Sequence, residues 1–446
     1  MNFNKYISTV NNIEPVKFTG SVSGINGMVI ESIGPQAVIG ELCYITVSNG
    51  KNSSIQERLW CEVIALKGTT VQLMAFGEMD GVKIGSLVTA SGETLHVNVS
   101  NQMLGRVLDG LGRPTDGKGA IPSDARYPAM NRPPDAMYRK KIEDRIITGV
   151  KSIDGLIPIG KGQRVGIFAG SGVGKSTLMG MVARNTSADI NVIALIGERG
   201  REVLEFLEND LGEEGLKRSV VIVATGDTPP LARLKGAFIA TAVAEFFRDQ
   251  GKDVMLLFDS VTRFAMAQRE IGLSTGEPPA TRGYTPSVFT MLPKLLERAG
   301  TNDKGSITGF YTILVEGDDM DEPIADAARG ILDGHIVLSR DLAHKFHYPA
   351  IDVLQSVSRL TNKITSKPIQ QNMGYIRKML ALYKDKEDLI NIGAYAKGSS
   401  PDIDEAIDKM DDINHFLIQD IDEDVSIEDT LKEQGLISGQ VFDGEA

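Results

Sequence analysis

Residues Ala169–Thr177 read AGSGVGKST and directly follow the apolar run Arg164–Phe168. Gly170, Gly172 and Gly174 permit the tight turns that bring backbone N–H groups close to an anion, with Ser171, Val173 and Thr177 completing the stretch. A helix beginning near Lys175 points the positive end of its dipole at the same place. Lys175 offers a cation for β- and γ-phosphates and Ser176 a hydroxyl for Mg²⁺, so this pattern implies binding of ATP or GTP. Ala169 stands where the pattern usually has its first glycine; alanine accepts the φ/ψ of a strand end, so the loop is expected to form.

Two further carboxylates are spaced for phosphoryl chemistry. The apolar run DVMLLFDS, Asp253–Ser260, ends in Asp259, which is suited to holding Mg²⁺ through water or a neighbouring hydroxyl. GERGREV, Gly197–Val203, follows another apolar run, and Glu198 there is suited to orienting a water in line with the γ-phosphate. Either Arg199 or Arg201 could reach that phosphate.

The elements that must position these residues follow from periodicity. Between about Gly149 and Leu360 apolar runs alternate with helical patterns. RVGIFA, NVIALIG, SVVIVAT and DVMLLFD are continuously apolar, as parallel strands covered on both faces are. That predicts a doubly wound α/β domain with its ligand at the carboxyl ends of the strands. From Phe18 to Ser91 short alternating runs broken by glycines predict a small closed β-barrel. Leu104–Gly119 and the proline-rich stretch to Pro134 read as an ordered linker loop. Beyond Thr361 the chain reads as acidic helices. Phe3, Tyr6, Ile7, Val10 and Ile13 share one face of a short N-terminal helix, which either docks a partner or packs on its own domain.

Bulk properties narrow the classes. A chain of 446 residues exceeds one compact core, so two or three domains are expected. A net charge of −12 argues against nucleic acid as the main partner. The two cysteines, Cys43 and Cys61, lie in apolar runs and are expected as buried free thiols in a reducing cytoplasm. No signal peptide and no bilayer-spanning run is visible, so work at a membrane would require recruitment.

Taken in order, AGSGVGKST, GERGREV, DVMLLFDSVTRFAMAQREIG, GEPPATRGYTPSVF, LLERAG, VEGDDMDEPIAD and ILDGHIVLSR resemble the ATPases of type III protein export, relatives of the catalytic subunits of rotary ATPases. The wording of ILDGHIVLSR and TGFYTILVEGDDMDEPIADAARG is nearer the flagellar than the virulence-secretion branch, which stays the runner-up. The resemblance implies a RecA-like α/β core flanked by an N-terminal β-barrel and a C-terminal helical domain. Its parts would be a regulator-binding helix over 1–17, the barrel over 18–92, the ATPase domain over 93–360 and helices over 361–446.

The same resemblance assigns roles. Lys175 and Ser176 match the phosphate lysine and Mg²⁺ hydroxyl, Glu198 the water-activating glutamate, and Asp259 the metal-side carboxylate. Arg199 and Arg263 match arginines near the phosphates. Tyr348 matches an aromatic that stacks on adenine, its alternative being a loop tyrosine packed on Pro349. Arg359 matches an arginine finger that enters the neighbouring subunit's site, which implies a homohexameric ring. Implied partners are a stalk-like regulator at the N-terminus, a stalk in the ring centre, a membrane export gate, and chaperones with their substrates, all at the cytoplasmic face of the membrane. A noncatalytic ring subunit is disfavoured by Glu198, an RNA-translocating ring helicase by the net charge, and a synthase catalytic subunit by the wording of the loop.

Overall fold

The computed structural model describes residues 17–48, 56–315, 317 and 319–440. The helix expected over 1–17 falls, but for its last residue, outside the described residues.

Six short strands close into a barrel: Thr19–Asn26, Val29–Ile33, Glu41–Ser48, Gln56–Lys67, Thr70–Ala75 and Leu87–Thr94. Alternation along each strand sends Val22, Ile30, Ile45, Val63, Leu73 and Val88 into one core. Cys43 and Cys61 face each other across two neighbouring strands, both buried and both free thiols. Burial pushes the Cys43 thiol up to about 12, so it stays protonated and inert at neutral pH.

A second sheet carries the phosphate loop. Its strands lie in the order Ile351–Ser358, Gly334–Leu338, Arg164–Ala169, Ser306–Leu314, Asp253–Asp259, Ile190–Ile196, Ser219–Ala224 and Arg106–Asp109. Along this path every pairing is parallel except that of Ile351–Ser358, which runs antiparallel at one edge. The continuous apolar runs have a direct explanation. Val192, Ala194 and Ile196 join the core beneath the helix Pro230–Arg248, while Ile193 and Leu195 join the opposite core with Leu178 and Val182 of the helix Lys175–Asn185.

One expectation is corrected. Arg106–Asp109, inside the stretch read as a linker loop, is a strand that pairs with Ser219–Ala224 and forms the other edge of the sheet. Gly105 before it and Gly110, Gly112 and Pro114 after it hid it. What holds it is local: Asp116 accepts from the Arg106 guanidinium at 2.6 and 2.8 Å and from the Val107 N–H at 3.2 Å.

The C-terminal region is helical: Lys367–Asn391, Pro401–Leu417 and Ile427–Ser438. Met373, Ile376, Ile413 and Phe416 extend the core that holds the Lys175–Asn185 helix. Among the described residues no helix is long and apolar enough to cross a membrane.

Candidate active site

The strand Arg164–Ala169 ends in the phosphate loop, and the helix Lys175–Asn185 starts from Gly174, whose φ of 86° lies in the left-handed region that glycine tolerates. Gly172 has φ 77° for the same reason. Val173 is buried beneath the loop and anchors it, whereas Ser171 and Gly172 are exposed and Ser176 is partly so. Thr177 bonds to Asp210 of the π-helical turn Phe206–Leu211, tying the loop's helix to the segment after Glu198.

Strand geometry brings the three expected charges together. Parallel pairing sets Leu195 beside Asp259 at the carboxyl ends of two central strands, with Glu198 just beyond. The Lys175 Nζ donates to Asp259 Oδ1 at 2.5 Å and lies 3.5 Å from Glu198 Oε1. Burial would depress the Lys175 ammonium, but Asp259 and then Glu198 outweigh it and hold it above its ordinary value. The Glu198 carboxyl is raised as well: burial first, then the Asp259 charge, push it up to about 7. That is where a general base works best at neutral pH. The Asp259–Ser260 peptide is cis, and Ser260 caps the helix Val261–Ser274 by accepting from the Arg263 N–H.

Two residues at the site carried no sequence signal. Thr312, on the neighbouring strand Ser306–Leu314, donates its hydroxyl to Asp259 Oδ1 at 2.7 Å. Thr312 reads there as an ordinary β-branched strand residue, so only the sheet order reveals it. Glu202 hydrogen-bonds Glu198, which holds the Glu202 carboxyl below its ordinary value. A small cleft is lined by Ser176, Glu198, Glu202 and Asp259.

The arginines divide. Arg263 packs against Gly197, where an added Cβ would come within 2.7 Å of the Arg263 Cβ. Its Nε is buried with no hydrogen-bond partner. Arg199 is not brought to the loop: its side chain is 82% exposed and lies 3.6 Å from Glu202. Arg201 also faces solvent, paired with Glu205 at 2.8 Å. Tyr348 is brought to the loop, its ring 3.5 Å from the place a Cβ on Gly174 would take. Arg359 is not. Because Ile351–Ser358 runs antiparallel, Ser358 lies beside Gly334, at the amino ends of the parallel strands. Arg359 is therefore exposed at the far end of the sheet, separated from Tyr348 by roughly 20 Å of strand. It donates there to the Arg329 carbonyl at 3.1 Å.

The donor set suits a nucleotide with Mg²⁺. Hard oxygen donors, the Ser176 hydroxyl and the Asp259 carboxylate, fit that ion, and an unpartnered buried guanidinium nitrogen on Arg263 fits an anion.

Comparison with known proteins agrees along the chain. Residues 149–358 match the ATP synthase alpha/beta family, nucleotide-binding domain, and residues 22–92 match the beta-barrel domain of that family. Residues 365–433 match the T3SS EscN ATPase C-terminal domain. A flagellum-specific ATP synthase of Treponema pallidum is 53% identical over 435 residues, covering 98% of this chain and 96% of that protein. A type 3 secretion system ATPase of Xanthomonas euvesicatoria is 50% identical over 413 residues, covering 93% and 92%. The assembled ATPase EscN of enteropathogenic E. coli, solved in complex with its central stalk EscO, superposes with a TM-score of 0.86 at 43% identity, covering 94% of this chain and 99% of that one. With a barrel, a parallel nucleotide-binding sheet and C-terminal helices in the same order, the chain belongs to the flagellar and type III secretion ATPases and is an ATPase.

Proposed function

We propose that the chain hydrolyses ATP at sites shared by neighbouring subunits of a ring, and that this hydrolysis drives protein export through a type III apparatus of the flagellar kind. The observation that carries the reading is the convergence of Lys175, Glu198 and Asp259 on the phosphate loop while Arg359 lies at the opposite end of the same sheet.

In this reading the loop from Gly170 to Thr177 wraps the phosphates with backbone N–H groups, and Lys175 exchanges Asp259 for phosphate oxygens. Ser176, with Asp259 behind it, would hold Mg²⁺, which would supply neutralisation of phosphate charge. Glu198, freed of Lys175, orients the attacking water and takes its proton. Arg263 faces the phosphates from its seat on Gly197. Arg199 reaches the γ-phosphate only after leaving Glu202. Tyr348 stacks on the base. Arg359 enters from the next subunit and stabilises charge on the transferring phosphoryl group.

The parts divide as a barrel over 18–92, an ATPase domain over 93–360 and a helical domain over 361–446, with residues 1–17 as a regulator-binding segment. A homohexamer around a central stalk, at the inner face of the membrane beside an export gate that receives chaperoned substrates, is the corresponding assembly. An assembled relative with a stalk supports it. Purified full-length chain should release phosphate from MgATP, and Glu198→Gln should keep ATP binding while losing turnover. Normal turnover in that variant would remove Glu198 from the role. Deleting the gene should stop flagellar filament export; loss of effector secretion with motility intact would assign the chain to the virulence branch instead.

A further inference from the structure

Gln419 is almost fully buried where three distant parts of the chain meet. Its Oε1 accepts from the Lys151 N–H at 2.8 Å. Its Nε2 donates to the Gly149 carbonyl at 2.9 Å and to the Glu423 carbonyl at 3.0 Å. Its own backbone N–H donates to the Tyr348 carbonyl at 3.0 Å. One amide oxygen faces an N–H and the amide nitrogen faces two carbonyls, so the orientation of the amide is fixed by its surroundings. No aliphatic side chain reproduces this, and the Gly149 carbonyl it leaves would be a buried acceptor without this donor.

The position has a mechanical meaning. Gln419 follows the helix Pro401–Leu417 by two residues, so it belongs to the C-terminal helices. Gly149 and Lys151 open the segment before the phosphate-loop strand, and the helix Lys151–Leu156 is itself tied to the C-terminal region by Gln434, which donates to the Gly155 carbonyl at 2.6 Å. Tyr348 rests on the phosphate loop at Gly174. The C-terminal region therefore reaches Tyr348 through the Gln419 backbone, while the Gln419 side chain holds that backbone against Gly149 and Lys151.

We propose that Gln419 is a positioning residue: it sets Tyr348 over the phosphate loop and makes that setting depend on where the C-terminal helices sit. Nucleotide binding and movement of these helices are then coupled through this residue, its side chain fixing the backbone N–H that holds the Tyr348 carbonyl. The proposal rests on the reading of Tyr348 as a nucleotide contact.

The test uses the full-length chain with Gln419→Ala, Gln419→Glu, Tyr348→Ala and the double variant Tyr348→Ala/Gln419→Ala. Thermal unfolding first shows which variants are folded; should Gln419→Ala not fold, Gln419→Glu decides alone, since it keeps the shape and loses both donors. We expect KM for ATP to rise about tenfold in either Gln419 variant with kcat changed far less, because ground-state placement is what is lost. We expect the double variant to match Tyr348→Ala alone. A Gln419 variant that is less stable but has unchanged KM, or whose effect adds in full to that of Tyr348→Ala, would overturn the proposal. Unchanged KM in Tyr348→Ala, by contrast, would overturn the reading of Tyr348 itself.

Discussion

Lys175 and Asp259 are joined at 2.5 Å, so the cation meant for phosphate already has a carboxylate partner inside the protein. A polyphosphate must out-compete Asp259, which an uncharged or singly charged ligand does poorly. The same pair leaves Glu198 on the weaker side of the arrangement, with Lys175 at 3.5 Å.

That imbalance predicts a pH dependence. Glu198 titrates at about 7, above its ordinary value, so the ionised base forms only as pH rises through neutrality. We expect kcat/KM to climb between pH 6 and 8 with a limb at about 7, read in initial-rate assays. Stability runs the opposite way. A carboxyl raised in the folded state adds stability that is full below its unfolded pKa and lost as pH rises through its folded one. Glu198→Gln should therefore gain on the natural protein between pH 5 and pH 8, by up to about 3 kcal/mol in thermal unfolding. A gap independent of pH would contradict the raised titration.

Thr312 supports Asp259 from the adjacent strand at 2.7 Å. Thr312→Val keeps the shape and removes the donor. Loss of a hydrogen bond to a buried charge predicts a fall of about 1–3 kcal/mol in stability, and a lower kcat/KM as Asp259 turns from its position. Thr312→Ser should restore most of both. Equal behaviour of the valine and serine variants would show that the hydroxyl is idle.

Arg359 and Glu198 should complement each other between subunits. Arg359→Ala and Glu198→Gln are each expected to be inactive, by roughly a thousandfold or more for a lost arginine finger. Mixing the two proteins should recover activity, because an Arg359→Ala subunit retains Glu198 and can receive the arginine of a Glu198→Gln neighbour. Absence of recovery in co-assembled mixtures would place both residues at one subunit's own site.

Phe346 sits at φ 57°, the left-handed region, with 84% of its surface exposed. A bulky residue there carries about 1–2 kcal/mol of strain, while glycine loses about 0.5–1 kcal/mol through chain entropy. Phe346→Gly should thus raise the unfolding temperature slightly. A clear drop would mean that the ring makes a contact worth more than the strain.

The sequence made some of this legible and hid the rest for physical reasons. Lys175, Ser176, Glu198 and Asp259 were readable because continuous apolar runs mark parallel strands, and chemistry sits where such strands end. The strand Arg106–Asp109 was hidden because four residues among glycines and prolines carry no period. Thr312 was hidden because a buried threonine looks like any strand residue until its neighbour is known. The exposure of Arg199 on its pair with Glu202 could not be read from GERGREV, which sets spacing and not rotamer. Gln419 contacts Gly149 across 270 residues, a separation over which no local pattern speaks.

The antiparallel edge strand gives each subunit a polarity. It carries an arginine out at one end of a sheet whose catalytic loop opens at the other. A two-fold contact that paired arginine with loop would do so twice and close on two subunits, whereas a head-to-tail contact pairs them once and leaves one of each for the next subunit. In the proposed ring, subunits join head to tail. An open chain of any length then leaves one loop without its arginine and one arginine without a loop, and only a closed circle wastes neither. In that arrangement turnover per subunit should rise with the number of joined subunits and reach its ceiling on closure, so that unassembled subunits would spend little nucleotide.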